Sequence, residues 1–146
     1  MINIKVLSSS NLEFLDEIIN LSREAVDYLS SQKWCHKIID GWFAVGWGYI
    51  MTAFFFRFDP IGEGVPDNVW IIVGDLPSAY IDAIDNTNGV MAVEAYVIEM
   101  QKWVDSVKLG TSIDNLIPVN VPPTKEFANM LEERLQILRE EILLPN

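Results

Sequence analysis

Gly41-Trp-Phe-Ala-Val-Gly-Trp-Gly-Tyr-Ile-Met-Thr-Ala-Phe-Phe-Phe56 contains no charged side chain, and Asp40 and Arg57 close it at its two ends. Such a run is either a membrane span or material for a core. A spanning helix needs about 20 apolar residues, and this run falls short of that length. Its three glycines and many aromatics suit strands and turns better than a helix interior. Two buried strands are therefore expected, Trp34 to Val45 and Tyr49 to Phe58, with a turn at Gly46-Trp47-Gly48. Neither face of Phe54-Phe55-Phe56 is polar, so the second strand should be covered on both sides.

Downstream, Asp59-Pro60 ends that strand, and the stretch from Ile61 to Asn68 has the composition of a loop. Val69 to Val73 reads as a third strand, stopped by Gly74-Asp75-Leu76-Pro77, and Ala79-Tyr80-Ile81 as a short fourth. Short connections between consecutive strands point to an antiparallel meander.

Helical periodicity flanks this sheet on both sides. From about Asn11 to Ser31, Leu15, Ile18, Ser22, Ala25, Val26 and Leu29 recur at helical spacing, with Ser10 and Glu13 placed as a capping box. A second helix is expected from about Val90 to Leu109, on a stripe of Val93, Val97, Met100, Val104 and Val107 widened by Tyr96 and Trp103. The Asp85 to Gly89 turn precedes it, and Gly110 stands where a left-handed cap belongs. One helical turn is expected at Ile113 to Ile117. After Pro122-Pro123, Thr124 is a good N-cap for a last helix to about Leu143, built on Leu131, Leu135, Leu138 and Ile142. The expected fold is α+β: a three- to four-stranded antiparallel meander packed by one N-terminal and two C-terminal helices.

The chain of 146 residues, half of them hydrophobic, is read as a single domain, residues 1–146. Its 21 acidic residues against 10 basic ones give a net charge of -11. That balance disfavours nucleic acid and anionic membrane surfaces and favours basic partners. The lone Cys35 cannot form an internal disulfide, and Met1 to Ser10 has a single Lys and no long apolar run. A cytoplasmic setting is the expectation.

No reactive constellation stands out. Cys35 and His36 are the sole thiol and imidazole, and neighbours in sequence point to different faces of a strand or helix, which argues against a catalytic dyad. Two such ligands are too few for a structural zinc. Asp75, Asp82 and Asp85 lie close in sequence, but their spacing matches no calcium loop. Gly41, Gly46 and Gly48 lack the Lys-Ser or Lys-Thr of a phosphate loop. No catalytic residue, metal or cofactor is assigned. Asp75 is the most site-like carboxylate, because it directly follows a buried strand, although Gly-Asp-Leu-Pro is also ordinary turn chemistry. The dense aromatic set from Trp34 to Trp70 is mainly core material, with Trp42 and Trp47 as candidates to line a groove or an interface.

Tyr49-Ile-Met-Thr-Ala-Phe-Phe-Phe-Arg-Phe-Asp-Pro60, Val69-Trp-Ile-Ile-Val-Gly-Asp-Leu-Pro-Ser-Ala-Tyr80 and Ile117-Pro-Val-Asn-Val-Pro-Pro-Thr124 together resemble an uncharacterised family of small bacterial proteins, a domain of unknown function. The resemblance extends over most of the chain from about Trp34. It implies a bacterial, single-domain, cytosolic protein and brings no catalytic residue with it.

Three functional readings stand at this point. The first is an acidic, non-enzymatic protein that binds a basic protein partner, comparable in charge and size to toxin-neutralising immunity proteins. The second is a small-ligand protein or enzyme with a carboxylate-based pocket near Asp75 that draws in Tyr80 and Asp40. The third is a homodimer through the C-terminal helices, since Phe127, Met130 and Ile137 widen the last apolar stripe. Trp42, Trp47, Asp75 and Tyr80 are the candidate binding residues.

Overall fold

In this computed structural model, which describes residues 4–6, 15–47 and 50–140, positions 41–47 and 51–56 of the charge-free run lie in two adjacent strands. The elements in chain order are β1 (Ile4–Val6), α1 (Leu15–Ser30), β2 (Cys35–Trp47), β3 (Met51–Pro60), β4 (Asn68–Gly74), β5 (Ala79–Ile81), α2 (Gly89–Leu109) and α3 (Lys125–Leu138). The strands form one five-stranded sheet in the order β1-β2-β3-β4-β5. From β2 to β5 every neighbour is antiparallel, as the meander requires. The short β1 adds a parallel strand beside β2, with Ile4 opposite Gly41 and Val6 opposite Phe43. That pairing needs a crossover, and α1 is the element that makes it. The class is α+β, with one N-terminal and two C-terminal helices.

β3 is the middle strand, and its side chains alternate between two separate cores. Phe54, Phe56 and Phe58 pack with Ile18, Leu21, Ala25 and Leu29 of α1. Met51 and Ala53, with Phe55 beside them, pack with Val93, Tyr96, Val97 and Met100 of α2. Helices cover both faces, so no polar alternation is left in the strand. Each phenylalanine fully buried this way contributes roughly 1.5–3 kcal/mol relative to exposure.

α2 lies against the sheet, and α3 packs alongside α2. The side chain of Asn88 caps α2 by accepting from the Met91 N–H at 2.9 Å. At the far end Gly110 takes φ 73°, and the Thr111 N–H donates to the Ser106 carbonyl at 2.9 Å. Thr124 caps α3 through the Phe127 N–H. Leu131, Leu135 and Leu138 of α3 are buried, whereas Phe127, Met130 and Ile137 remain exposed at 37%, 49% and 42%. The expected capping box of Ser10 and Glu13, the side chain of Leu15, and Ile142 lie outside the described residues. Among the described residues, no helix is long and apolar enough to cross a membrane.

Phe54 is fully buried at the centre of the sheet, so Phe54→Ala should cost about 3–5 kcal/mol in urea unfolding. Phe127→Ala on the outer face of α3 should cost under about 1 kcal/mol in the same measurement.

Candidate functional site

Three aromatic side chains meet beside the edge strand β5. Trp34 precedes β2, Phe58 lies on β3 and Tyr80 on β5. The Trp34 ring sits 5.2 Å from Phe58 at an interplanar angle of 55° and 5.2 Å from Tyr80 at 76°. All three line a groove of about 770 Å³. That volume falls within the range of about 300–1,000 Å³ in which ligand sites occur.

The opposite wall comes from the other side of the sheet: Ile81 of β5, Ala95 of α2, and Leu116 and Ile117 from the segment between α2 and α3. The groove therefore straddles the sheet edge. Asp82, Asp85 and Glu99 supply three carboxylates to its lining, which contains no Lys or Arg among the described residues.

The turn after β5 is held rigidly. Asp82 accepts from the N–H groups of Ile84 at 2.8 Å and Asp85 at 2.9 Å, and the Asn86 amide donates to the Asp82 carbonyl at 3.1 Å. The indole N–H of Trp70, on β4, then donates to the Asn86 carbonyl at 2.7 Å and ties the turn to the sheet. Glu99 is paired with Lys102 at 3.0 Å along α2. The side chain of Asp85 is exposed at the groove.

Asp75 occupies a different place. Gly74 holds φ 145°, and a Cβ there would fall 2.5 Å from the Ile50 carbonyl oxygen, so the backbone approach requires glycine. The Asp75 N–H donates to that same carbonyl at 3.0 Å. The Asp75 carboxylate is 68% exposed and accepts from the Arg134 Nε of α3 at 3.1 Å. It stands at the rim of a shallow hollow of about 310 Å³ floored by Val121, Met130 and Leu131. The buried Tyr96 hydroxyl donates to the Pro77 carbonyl at 2.6 Å and anchors this loop from beneath. Burial holds the Tyr96 hydroxyl in its neutral, donating form.

The structure separates residues that the sequence suggested as one pocket. Asp40 pairs with Arg57 at 2.8 Å, beside the far end of β4. Asp75 follows Gly74, which is opposite Met51, so about 20 Å of strand lies between the two carboxylates at 3.3 Å per residue. Tyr80 lines the larger groove and not the Asp75 hollow. Trp42 stacks obliquely on Phe55 at 5.8 Å and is half-buried, and Trp47 is half-buried against the α2 core. Neither tryptophan lines the groove or the hollow.

Asp75, Asp82 and Asp85 do not converge either. Asp82 is committed to its own turn and Asp75 to Arg134. Among the described residues, no three His, Cys, Asp or Glu side chains gather as metal ligands would. Cys35 is buried and the neighbouring His36 exposed, with the thiol pKa pushed up by burial and by nearby Asp59.

No family model, curated protein or solved structure matches the chain. The resemblance carried by the Tyr49–Tyr80 and Ile117–Thr124 stretches accordingly transfers no activity, and residue roles rest on geometry alone. Trp34, Phe58 and Glu99 are among the groove residues that sequence reasoning did not single out. Trp34 and Phe58 stood within the dense aromatic set, but only the strand register shows that they share a face with Tyr80.

Two outcomes follow for this region. Tyr96→Phe leaves the Pro77 carbonyl without its donor and should cost about 1–3 kcal/mol in urea unfolding. Asp75→Asn breaks an exposed ion pair and should cost under about 1 kcal/mol in that assay.

Burial first, and then the nearby Tyr80, push the Tyr28 hydroxyl from 10.0 up to about 12. The folded chain then keeps a proton that the unfolded chain gives up, so this stabilisation is complete below pH 10 and is lost as pH rises toward 12. Urea midpoints should fall across that window, and fall less steeply in Tyr28→Phe.

Proposed function

We propose that the protein is a non-enzymatic binding protein for a basic protein partner, and that it holds this partner in the groove beside β5. The observation that carries the reading is the groove lining. Aromatic walls are joined there by three carboxylates: Glu99 is paired with Lys102, Asp82 is held in its own turn, and the Asp85 side chain is exposed at the groove, whose lining has no Lys or Arg among the described residues.

The chemistry of such a site favours cations with apolar stems. A guanidinium or ammonium group is attracted both to aromatic faces and to carboxylates, while the methylene chain of Arg or Lys covers apolar wall. Small anions gain nothing from it. The net charge of -11 extends the same preference to long range, because it steers basic proteins toward the surface and speeds their encounter. The cytoplasmic setting expected from the lone thiol of Cys35 belongs to this reading, as does the comparison with immunity proteins in charge and size.

Capture from native lysate tests the reading when the groove charge is varied. The immobilised chain should retain a basic protein at about 50 mM salt and release most of it by about 300 mM, where screening shortens the reach of charge. Asp85→Lys should cut capture tenfold or more. Glu133→Lys, an equal charge change on the exposed face of α3, should leave it within about twofold. Equal loss in both variants, or no salt-released protein, would overturn the reading.

A further inference from the structure

β5 is an edge strand of only three residues, and no strand lies beyond it among the described residues. The groove does not sit on one face of the sheet at this edge. Trp34, Phe58 and Tyr80 belong to the α1 side, and Ile81, Leu116 and Ile117 to the α2 side. All six line the same groove.

That arrangement matches one shape of occupant. An extended chain sends successive side chains to opposite faces, so a segment laid along β5 places alternate side chains against the two walls. A helix presents one stripe and fills one wall. A compact small molecule engages one side of the edge. Strand addition also supplies main-chain hydrogen bonds to the outer edge of β5, with the walls left to choose side chains.

We propose that the groove binds its partner by strand addition: an extended, Lys- or Arg-bearing segment of the partner pairs with β5 as a sixth strand. The inference rests on the basic-partner reading for its charge and on the straddling geometry for its shape. The exposed carboxylate of Asp85, with Asp82 and the Lys102-paired Glu99 adding negative charge around it, selects basic side chains, and Trp34, Tyr80, Leu116 and Ile117 receive the apolar parts. The shortness of β5 limits unspecific pairing, because three residues offer few bonds unless the side-chain walls are also satisfied.

The test leaves the protein unaltered and varies the probe. A synthetic peptide, acetyl-Arg-Val-Arg-Val-Arg-amide, carries charge on one face and apolar groups on the other. A one-residue shift of register exchanges those faces, so this one peptide samples both assignments of the walls. Its partner in the experiment is the same peptide N-methylated at every residue, which keeps the charges and removes the backbone donors.

Titration at low salt, followed by amide shifts and hydrogen exchange, should show the unmodified peptide binding with protection of β5 amides. The methylated peptide should bind at least tenfold more weakly. Equal binding of the two would overturn strand addition while the charge-based reading stands. Absence of any change at β5 with millimolar unmodified peptide would also overturn it, and the basic-partner reading would then rest on the capture experiment alone.

Discussion

Phe54, Phe55 and Phe56 occupy consecutive positions of a central strand, and a strand turns successive side chains to opposite faces. Both faces of the sheet must therefore be roofed, or large aromatic surface meets water. α1 covers one face and α2 the other, and each brings an apolar stripe of the required length. α3 then serves α2 more than the sheet, burying Leu131, Leu135 and Leu138 against the same core. The order of elements in the chain follows from this need: a helix before the meander for one face, and helices after it for the other.

The edges of the sheet are unlike each other for related reasons. β1 closes one side by parallel pairing, which the α1 crossover makes possible. At the other side the chain leaves β5 after three residues, turns tightly through Asp82 to Asn86 and enters α2. The edge is consequently short, and a groove opens between it and the segment that returns toward α3. The aromatic wall of this groove is an extension of the α1-side core, since Phe58 and Tyr80 lie in line with the buried face of the sheet.

Much of the fold was legible because it depends on period. The stripe of Val93, Val97, Met100, Val104 and Val107 is buried along its whole length, and the caps at Thr124 and Gly110 stand where the residue types placed them. β1 was not legible: Ile4-Lys5-Val6 is too short for alternation to register, and its partner lies more than thirty residues away. Strand register was also out of reach. Three irregularities interrupt the pairing of β2 with β3, and each shifts which side chains face each other. Trp42 and Trp47 lie on β2, whereas Trp34, just before that strand, is the tryptophan that reaches Tyr80. Asp75 was correctly placed after a buried strand, but its partner Arg134 comes from a helix whose docking no local pattern encodes.

The division of the interior by the sheet has a consequence for how such a sequence tolerates change. One core draws on residues 18–80 and the other on residues 44–138, with no side chain common to both among the described residues. Energetic effects add when sites share no partners, so substitutions beneath α1 and substitutions beneath α2 should behave as independent events. Compensation must then arise within a layer. Over time the two halves of the interior can drift at different rates, and it is the backbone of β2 to β5 that has to satisfy both.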